Sequence, residues 1–185
     1  SHSVNTKMKS QQKQFFEISK TAYGGTLLKK RKARLSRRPL DTKNTMHLVL
    51  RSSQAKGDWS FMKKPNQKKI SAILTKFSDK YAVKILSMAN VGNHLHFQIQ
   101  LASRHTYKKF INAITSAIVM VVTGVSRMKK LAKHFWDYRP FTRIVVGYRQ
   151  RIILQNYIEI NQLEGHGWNR VEAMDIIRKE RERYR

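Results

Sequence analysis

A strictly alternating segment near the middle of the chain runs Asn93-His94-Leu95-His96-Phe97-Gln98-Ile99-Gln100-Leu101. Its apolar side chains occupy every second position, which is typical of a β-strand with one face in a core. His94 and His96 then lie side by side on the other face, where two imidazoles can converge on one divalent cation. The spacing alone leaves two interpretations open: a metal site, or a strand whose polar face happens to carry two histidines.

The composition predicts a single water-soluble domain. The chain has 185 residues, of which 41% are apolar, and this is enough for one core. We find no uninterrupted apolar run of membrane-spanning length and no apolar signal segment at the N-terminus, so we expect neither a membrane span nor secretion. Cysteine is absent, which excludes disulfides and thiolate metal sites.

Charge is the strongest compositional signal. The chain carries 38 Lys and Arg against 11 Asp and Glu, a formal net charge of +27. Such an excess predicts a polyanionic partner, most often nucleic acid, and a membrane surface fits less well because no amphipathic helix gathers the charge. A basic run before Pro39 has almost nothing to bury, so we predict an arm that binds nucleic acid, with a targeting signal as the alternative. Its predicted DNA contacts are Lys29, Lys30, Arg31, Lys32, Arg34, Arg37 and Arg38.

The order of predicted elements indicates an α+β fold. They are strand 45–51, a helix capped by Asn66, strand 82–88, the histidine strand, helix 106–123, strand 142–146 and helix 149–163. A βαββαβ order most simply forms a ferredoxin-like antiparallel sheet with two helices on one face. The last helix is then free to cover the face with the histidines. We predict a basic N-terminal arm at 1–38, a globular domain at 39–168 and a charged helical tail at 169–185.

A second pair of polar residues lies in that last helix. Tyr157 and Asn161 are four positions apart, so they share one helical face. A His-hydrophobic-His strand followed by a helix with Tyr-x-x-x-Asn resembles the single-tyrosine HUH transposases, the small insertion-sequence transposases and their REP-associated relatives. The segments that carry the resemblance are 92–97, 135–143, 157–162 and 165–167. Gln162 departs from the REP-associated pattern, which usually has proline there.

The resemblance implies a site and a reaction. His94 and His96 would bind a divalent ion, Mg²⁺ or Mn²⁺, with Asn161 as a third ligand and Tyr157 as the nucleophile. The implied substrate is single-stranded DNA with hairpin elements, cut through a 5′-phosphotyrosine intermediate in the bacterial cytoplasm at the nucleoid. Insertion-sequence members are homodimers that exchange the tyrosine helix, whereas REP-associated members resemble monomers, and both arrangements stay open here.

Less specific interpretations stand beside these. Tyr157 alone is more often a tyrosine at a core edge, and Asn161 alone more often a helix-end cap. We interpret His47 as structural, while Asp137 or Glu159 can orient a ligand. Two other functions fit parts of the pattern: a non-catalytic, domesticated protein that binds structured DNA or RNA hairpins, and a plasmid-type relaxase or replication initiator.

Overall fold

The structure is a computed structural model that describes residues 22–25, 38–126 and 131–183. Most of the predicted basic arm falls outside these ranges. Six of the predicted DNA contacts lie there too, namely Lys29, Lys30, Arg31, Lys32, Arg34 and Arg37. Their role as DNA contacts stays a prediction.

The described strands form one antiparallel sheet. They are β1 (Ala22–Tyr23), β2 (Thr45–Arg51), β3 (Val83–Asn90), β4 (His94–Leu101) and β5 (Phe141–Val145). Their spatial order is β1-β5-β2-β4-β3, so the histidine strand β4 lies in the interior of the sheet between β2 and β3. Apart from β1, this is the sheet order of a ferredoxin-like βαββαβ unit, as predicted.

Four helices accompany the sheet in the described part of the chain. They are α1 (Lys64–Tyr81), α2 (Arg104–Thr123), α3 (Tyr148–Gly165) and α4 (Arg170–Glu182). The prediction that Asn66 caps the first helix is wrong, because α1 begins at Lys64 with Pro65 in its first turn. Asn66 is buried there, and its amide donates to the carbonyls of Asp58 and Ser60. No described helix has the length and apolar character that a membrane span requires.

The two faces of the sheet are covered differently. The apolar side chains of β2 and β4 join Phe110, Ile114 and Ile118 of α2 and Ile70 of α1 in the main core. On the opposite face a smaller cluster joins α3 to the sheet, consisting of Ala89, Val145, Leu154 and Ile158. The third helix therefore covers the face on which His94 and His96 lie, and the predicted fold class is confirmed.

The short strand β1 was not expected from the sequence. It lies within the predicted arm, yet Ala22 and Tyr23 pair with β5. Arg38 holds this edge together: its guanidinium lies 4.3 Å from the ring centroid of Tyr23 and donates to the Tyr107 hydroxyl and the Thr142 hydroxyl. Arg38 thus has structural contacts, and its predicted role in DNA binding stays a prediction.

Candidate active site

The site lies where strand β4 passes under helix α3. Leu95, Phe97 and their apolar neighbours on β4 point into the main core, so the strand's polar alternation turns His94 and His96 toward the helix. His96 is only 5% exposed, because α3 covers it. His94, at the start of the strand, is half-buried.

Asn90, at the end of β3, makes two of the contacts that fix α3 against the sheet beyond its apolar packing. The side-chain oxygen of Gln162 accepts a hydrogen bond of 2.7 Å from the backbone N–H of Asn90 at the end of β3. Gly165 allows the helix to approach the same residue closely, since a Cβ there would lie 2.4 Å from the Asn90 carbonyl oxygen. The residue that departs from the REP-associated pattern, Gln162, is therefore a structural anchor of the helix.

Helix α3 brings Tyr157 to the histidines within one chain. The Tyr157 ring centroid lies 5.5 Å from that of His96 and 6.0 Å from that of His47, in edge-to-face orientations. The His94 and His96 ring centroids are 4.8 Å apart. The predicted nucleophile and both predicted imidazole ligands therefore meet in one cluster.

Each of these imidazoles has a neighbour at one ring nitrogen. His94 Nδ1 lies 2.6 Å from Asn93 Oδ1, and His96 Nδ1 lies 3.2 Å from His47 Nε2. His96 Nε2 is buried and has no hydrogen-bond partner among the residues that the structure describes. A buried nitrogen without a partner is costly unless a ligand completes it.

Burial keeps these rings neutral. It lowers the pKa of His96 to about 2, with the neighbouring His47 and His94 acting in the same direction. Burial also lowers the pKa of His47 to about 3, with help from the Arg143 charge, and lowers the pKa of His94, with help from Arg51. Neutral imidazole is the form that binds metal ions.

The third predicted ligand, Asn161, lies one helical turn beyond Tyr157 and is 8% exposed. Its amide nitrogen donates to the Tyr157 carbonyl at 2.6 Å, which leaves the amide oxygen, the atom that a hard cation binds, outside that bond. Within the described ranges no group of three His, Asp or Glu side chains is placed to hold an ion. Two imidazoles, an amide oxygen and water nevertheless make a donor set that fits a divalent ion, and the orphaned His96 nitrogen supports the fit.

Two arginines line the same face of the sheet. Arg51 is paired with His94 across β2 and β4, and Arg143 is paired with His47 across β2 and β5. Asp137 is bound to Arg51 and to Ser53. The carboxylate of Glu159 accepts hydrogen bonds from Gln155 and from Arg181 of α4, so it is engaged on the other side of the helix.

Sequence reasoning missed two members of the site. His47 was interpreted as structural and Asn93 was given no role of its own, yet His47 contacts a ring nitrogen of His96 and Asn93 contacts one of His94. The alternation of β2 places His47 on one face with Thr45 and Arg51, which was a usable signal. The pairing register that sets His47 beside β4 cannot be read from the sequence.

The chain was then compared with known proteins. The sequence model of the family described as "Transposase IS200 like" matches residues 42–161, while no curated protein matches. One similar structure is that of a REP-associated tyrosine transposase bound to a REP hairpin; it is 14% identical, the match covers 74% of this chain and 76% of that one, and the TM-score is 0.58. A crystal structure of a Deinococcus radiodurans R1 protein assigned as a transposase is 15% identical over 71% of this chain and 97% of that one, with a TM-score of 0.42. The first likeness agrees with the fold found here. The family match covers well over half of the chain, from just before β2 to Asn161. This match shows that the chain belongs to the IS200-like transposase family.

Proposed function

We propose that the chain is a metal-dependent transposase that cuts and rejoins single-stranded DNA through Tyr157. The observation that carries the proposal is the meeting of the Tyr157 and His96 rings, 5.5 Å apart between centroids, in one chain. A tyrosine at the edge of a core does not require a buried histidine pair beside it. A nucleophile that attacks a phosphodiester does benefit from such a pair, because the two imidazoles can hold a divalent ion that would polarise the phosphate.

The proposed reaction exchanges one phosphodiester for another. The Tyr157 oxygen bonds to the scissile phosphorus, the bond from phosphorus to the DNA 3′ oxygen breaks, and the phenol proton is balanced by the proton on the released 3′-hydroxyl. The DNA 5′ end stays attached as a phosphotyrosine. Because the number of phosphate ester bonds is unchanged, a 3′-hydroxyl can reverse the step and join strands without an energy source.

His94, His96 and Asn161 would hold the divalent ion, Mg²⁺ or Mn²⁺, and two imidazole donors favour Mn²⁺. When bound, the ion polarises the non-bridging phosphate oxygens as a Lewis acid. Other interactions at the site come from the side chains of the protein. The side-chain amide of Asn161 donates a hydrogen bond to the Tyr157 carbonyl. Arg51 and Arg143 provide positive charge on the face of the sheet that carries the histidines.

The proposed partner is single-stranded DNA with hairpin elements. The net charge of +27 supports a nucleic-acid partner. The REP-associated transposase with the similar fold is bound to a REP hairpin. We therefore propose imperfect palindromes flanking the gene as the natural substrate, read in the bacterial cytoplasm.

The test is capture of the covalent intermediate. The wild-type protein, Mn²⁺ and fluorescent single-stranded DNA from the gene's flanks should give a labelled adduct on a denaturing gel. Tyr157→Phe should abolish the adduct, whereas Tyr148→Phe, an exposed tyrosine in the first turn of the same helix, should leave it unchanged. An undiminished adduct from Tyr157→Phe would refute the proposal, and chelator-insensitive hairpin binding without any adduct would favour the non-catalytic alternative.

We also propose that Tyr157 acts on the phosphate bound by its own chain, because α3 lies on its own sheet. A mixture of His94→Ala and Tyr157→Phe proteins should then remain inactive. Recovered cleavage in the mixture would show that two subunits exchange the helix.

A further inference from the structure

We infer that Asn93 and His47 are positioning residues that fix the tautomers of His94 and His96, so that both rings present an unprotonated Nε2 to the divalent ion. The inference rests on the proposed metal site. It goes beyond that site because it assigns a role to two residues that are not ligands. Ligating histidines in metalloproteins usually donate their other ring N–H to a neighbouring acceptor, which sets ring orientation and basicity.

For His94 the acceptor is an amide oxygen. Asn93 Oδ1 lies 2.6 Å from His94 Nδ1, and a carbonyl oxygen can only accept, so the proton lies on Nδ1. A neutral imidazole with its proton on Nδ1 has a lone pair on Nε2. A flipped Asn93 amide would donate instead and would force the opposite tautomer, so the orientation of this amide decides the state of His94.

For His96 the acceptor is another histidine. His47 Nε2 and His96 Nδ1 are 3.2 Å apart, and one of them must donate. If His47 donates, His96 carries its proton on Nε2, which is buried and has no acceptor in the described structure. Either tautomer leaves this nitrogen unpaired in the metal-free protein, at a cost of about 1–3 kcal/mol, but a buried N–H cannot bind a cation. If His96 donates, the same buried nitrogen has a lone pair, which a cation can complete.

The contacts around His47 hold its ring in a position to accept the hydrogen bond from His96. The residue is 7% exposed, and its ring is stacked within 17° of parallel to the His96 ring. The rings of Phe141 and Tyr157 flank it edge-on, with centroids 5.9 Å and 6.0 Å away. Its strand β2 is hydrogen-bonded on both sides, to β4 and to β5. The ring is therefore held in place before any ion binds.

The two acceptors come from different elements but have the same effect on two histidines of one strand, β4. Asn93 comes from the turn that enters β4, and His47 comes from the neighbouring strand. Each accepts a hydrogen bond from the Nδ1–H of one histidine, which leaves a lone pair on both Nε2 atoms for the divalent ion. Without these acceptors each ring could adopt either tautomer, and only one of the four combinations would bind the ion with both rings.

The direct test is the ring nitrogen spectrum of the metal-free wild-type protein. Long-range proton–nitrogen correlation of ¹⁵N-labelled histidines distinguishes Nδ1–H from Nε2–H rings, and His94→Ala and His96→Ala proteins supply the assignments. We expect Nδ1–H for both rings. An Nε2–H signal from either ring would overturn the inference for that ring.

A second test measures Mn²⁺ affinity by calorimetry in the absence of DNA. His47→Phe and Asn93→Ala, which remove the acceptors, should weaken binding about 10–100-fold. His47→Gln and Asn93→Asp, which keep an acceptor oxygen, should recover most of it. Thr45→Val is the matched control, since it removes a buried hydroxyl from the same face of β2, two residues from His47, and should leave affinity unchanged. Equal losses in the acceptor-removing and acceptor-keeping variants would overturn the inference.

These readouts separate the inference from the proposed function. Nδ1–H rings and the expected affinity ranking, together with a persistent adduct from Tyr157→Phe, would refute only the role of Tyr157. Loss of the adduct in Tyr157→Phe together with Nε2–H rings in the wild type would refute only the roles of Asn93 and His47.

Discussion

Acid should destabilise this protein well above the pH at which carboxylates titrate. His47 and His96 are 7% and 5% exposed, and burial lowers their pKa values from 6.5 to about 3 and about 2. Below pH 6.5 the unfolded chain binds protons that the folded chain does not accept, so stability falls as the pH falls. The contribution is complete above pH 6.5 and is lost progressively down to about pH 3 for His47 and about pH 2 for His96.

The size of the effect follows from the proton count. Each pH unit below the unfolded pKa costs about 1.4 kcal/mol for each histidine that stays neutral in the folded state. Between pH 6.5 and 5 this amounts to about 2 kcal/mol for each histidine and about 4 kcal/mol for His47 and His96 together. The lowered pKa of His94 acts in the same direction. The total is a large share of the stability of a typical domain.

Urea unfolding of the metal-free protein, followed by circular dichroism at several pH values between 7.5 and 5, measures this loss. His47→Gln removes one of the titrating groups and should roughly halve the slope with pH, whereas Thr45→Val should keep the full slope. A free energy of unfolding that stays constant down to pH 5 would refute the reasoning. It would mean that the histidines are protonated in the folded protein and that α3 does not exclude water from them.

Three further predictions concern the anchoring of α3 and the buried Tyr107 hydroxyl. Gln162→Ala leaves the Asn90 N–H without its acceptor and should lower the free energy of unfolding by about 1–3 kcal/mol, whereas Gln162→Glu, which keeps an acceptor oxygen, should cost less. Gly165→Ala places a methyl group 2.4 Å from the Asn90 carbonyl oxygen. This overpacking should lower the free energy of unfolding by about 1–3 kcal/mol, despite the better helix propensity of alanine. An unchanged melting temperature would contradict the close approach. Burial raises the pKa of Tyr107 to about 12, so the stability that this residue provides is complete below pH 10 and should decline between pH 10 and 12. Thermal unfolding at each pH should show a smaller decline for Tyr107→Phe.

Local patterns in the sequence predicted the elements, and register and packing decided the rest. Alternation placed β4 and its histidines correctly, because a strand's side-chain period of two does not depend on its neighbours. The start of α1 was misplaced at Asn66, because the buried amide of that residue binds loop carbonyls rather than capping the helix. Strand β1 escaped prediction because a two-residue edge strand has no periodicity to detect. His47 could not be assigned to the site, since its contact with His96 depends on how β2 and β4 are aligned.

The docking of α3 and the chemistry of the site depend on the same contacts at Asn90. Asn90 receives the helix through the Gln162 hydrogen bond and the Gly165 approach, and its own side chain donates to the Phe61 carbonyl and accepts from the Gly92 N–H. The turn that Asn90 shapes leads directly into Asn93 and the histidine strand. If α3 left the sheet, it would carry Tyr157 and Asn161 away and would also admit water to His96, which would restore its ordinary tendency to bind a proton. The proposed nucleophile, the proposed third ligand and the neutral state of the imidazole are therefore gained or lost together, so weakening the helix anchor should reduce metal affinity even when every proposed ligand is intact.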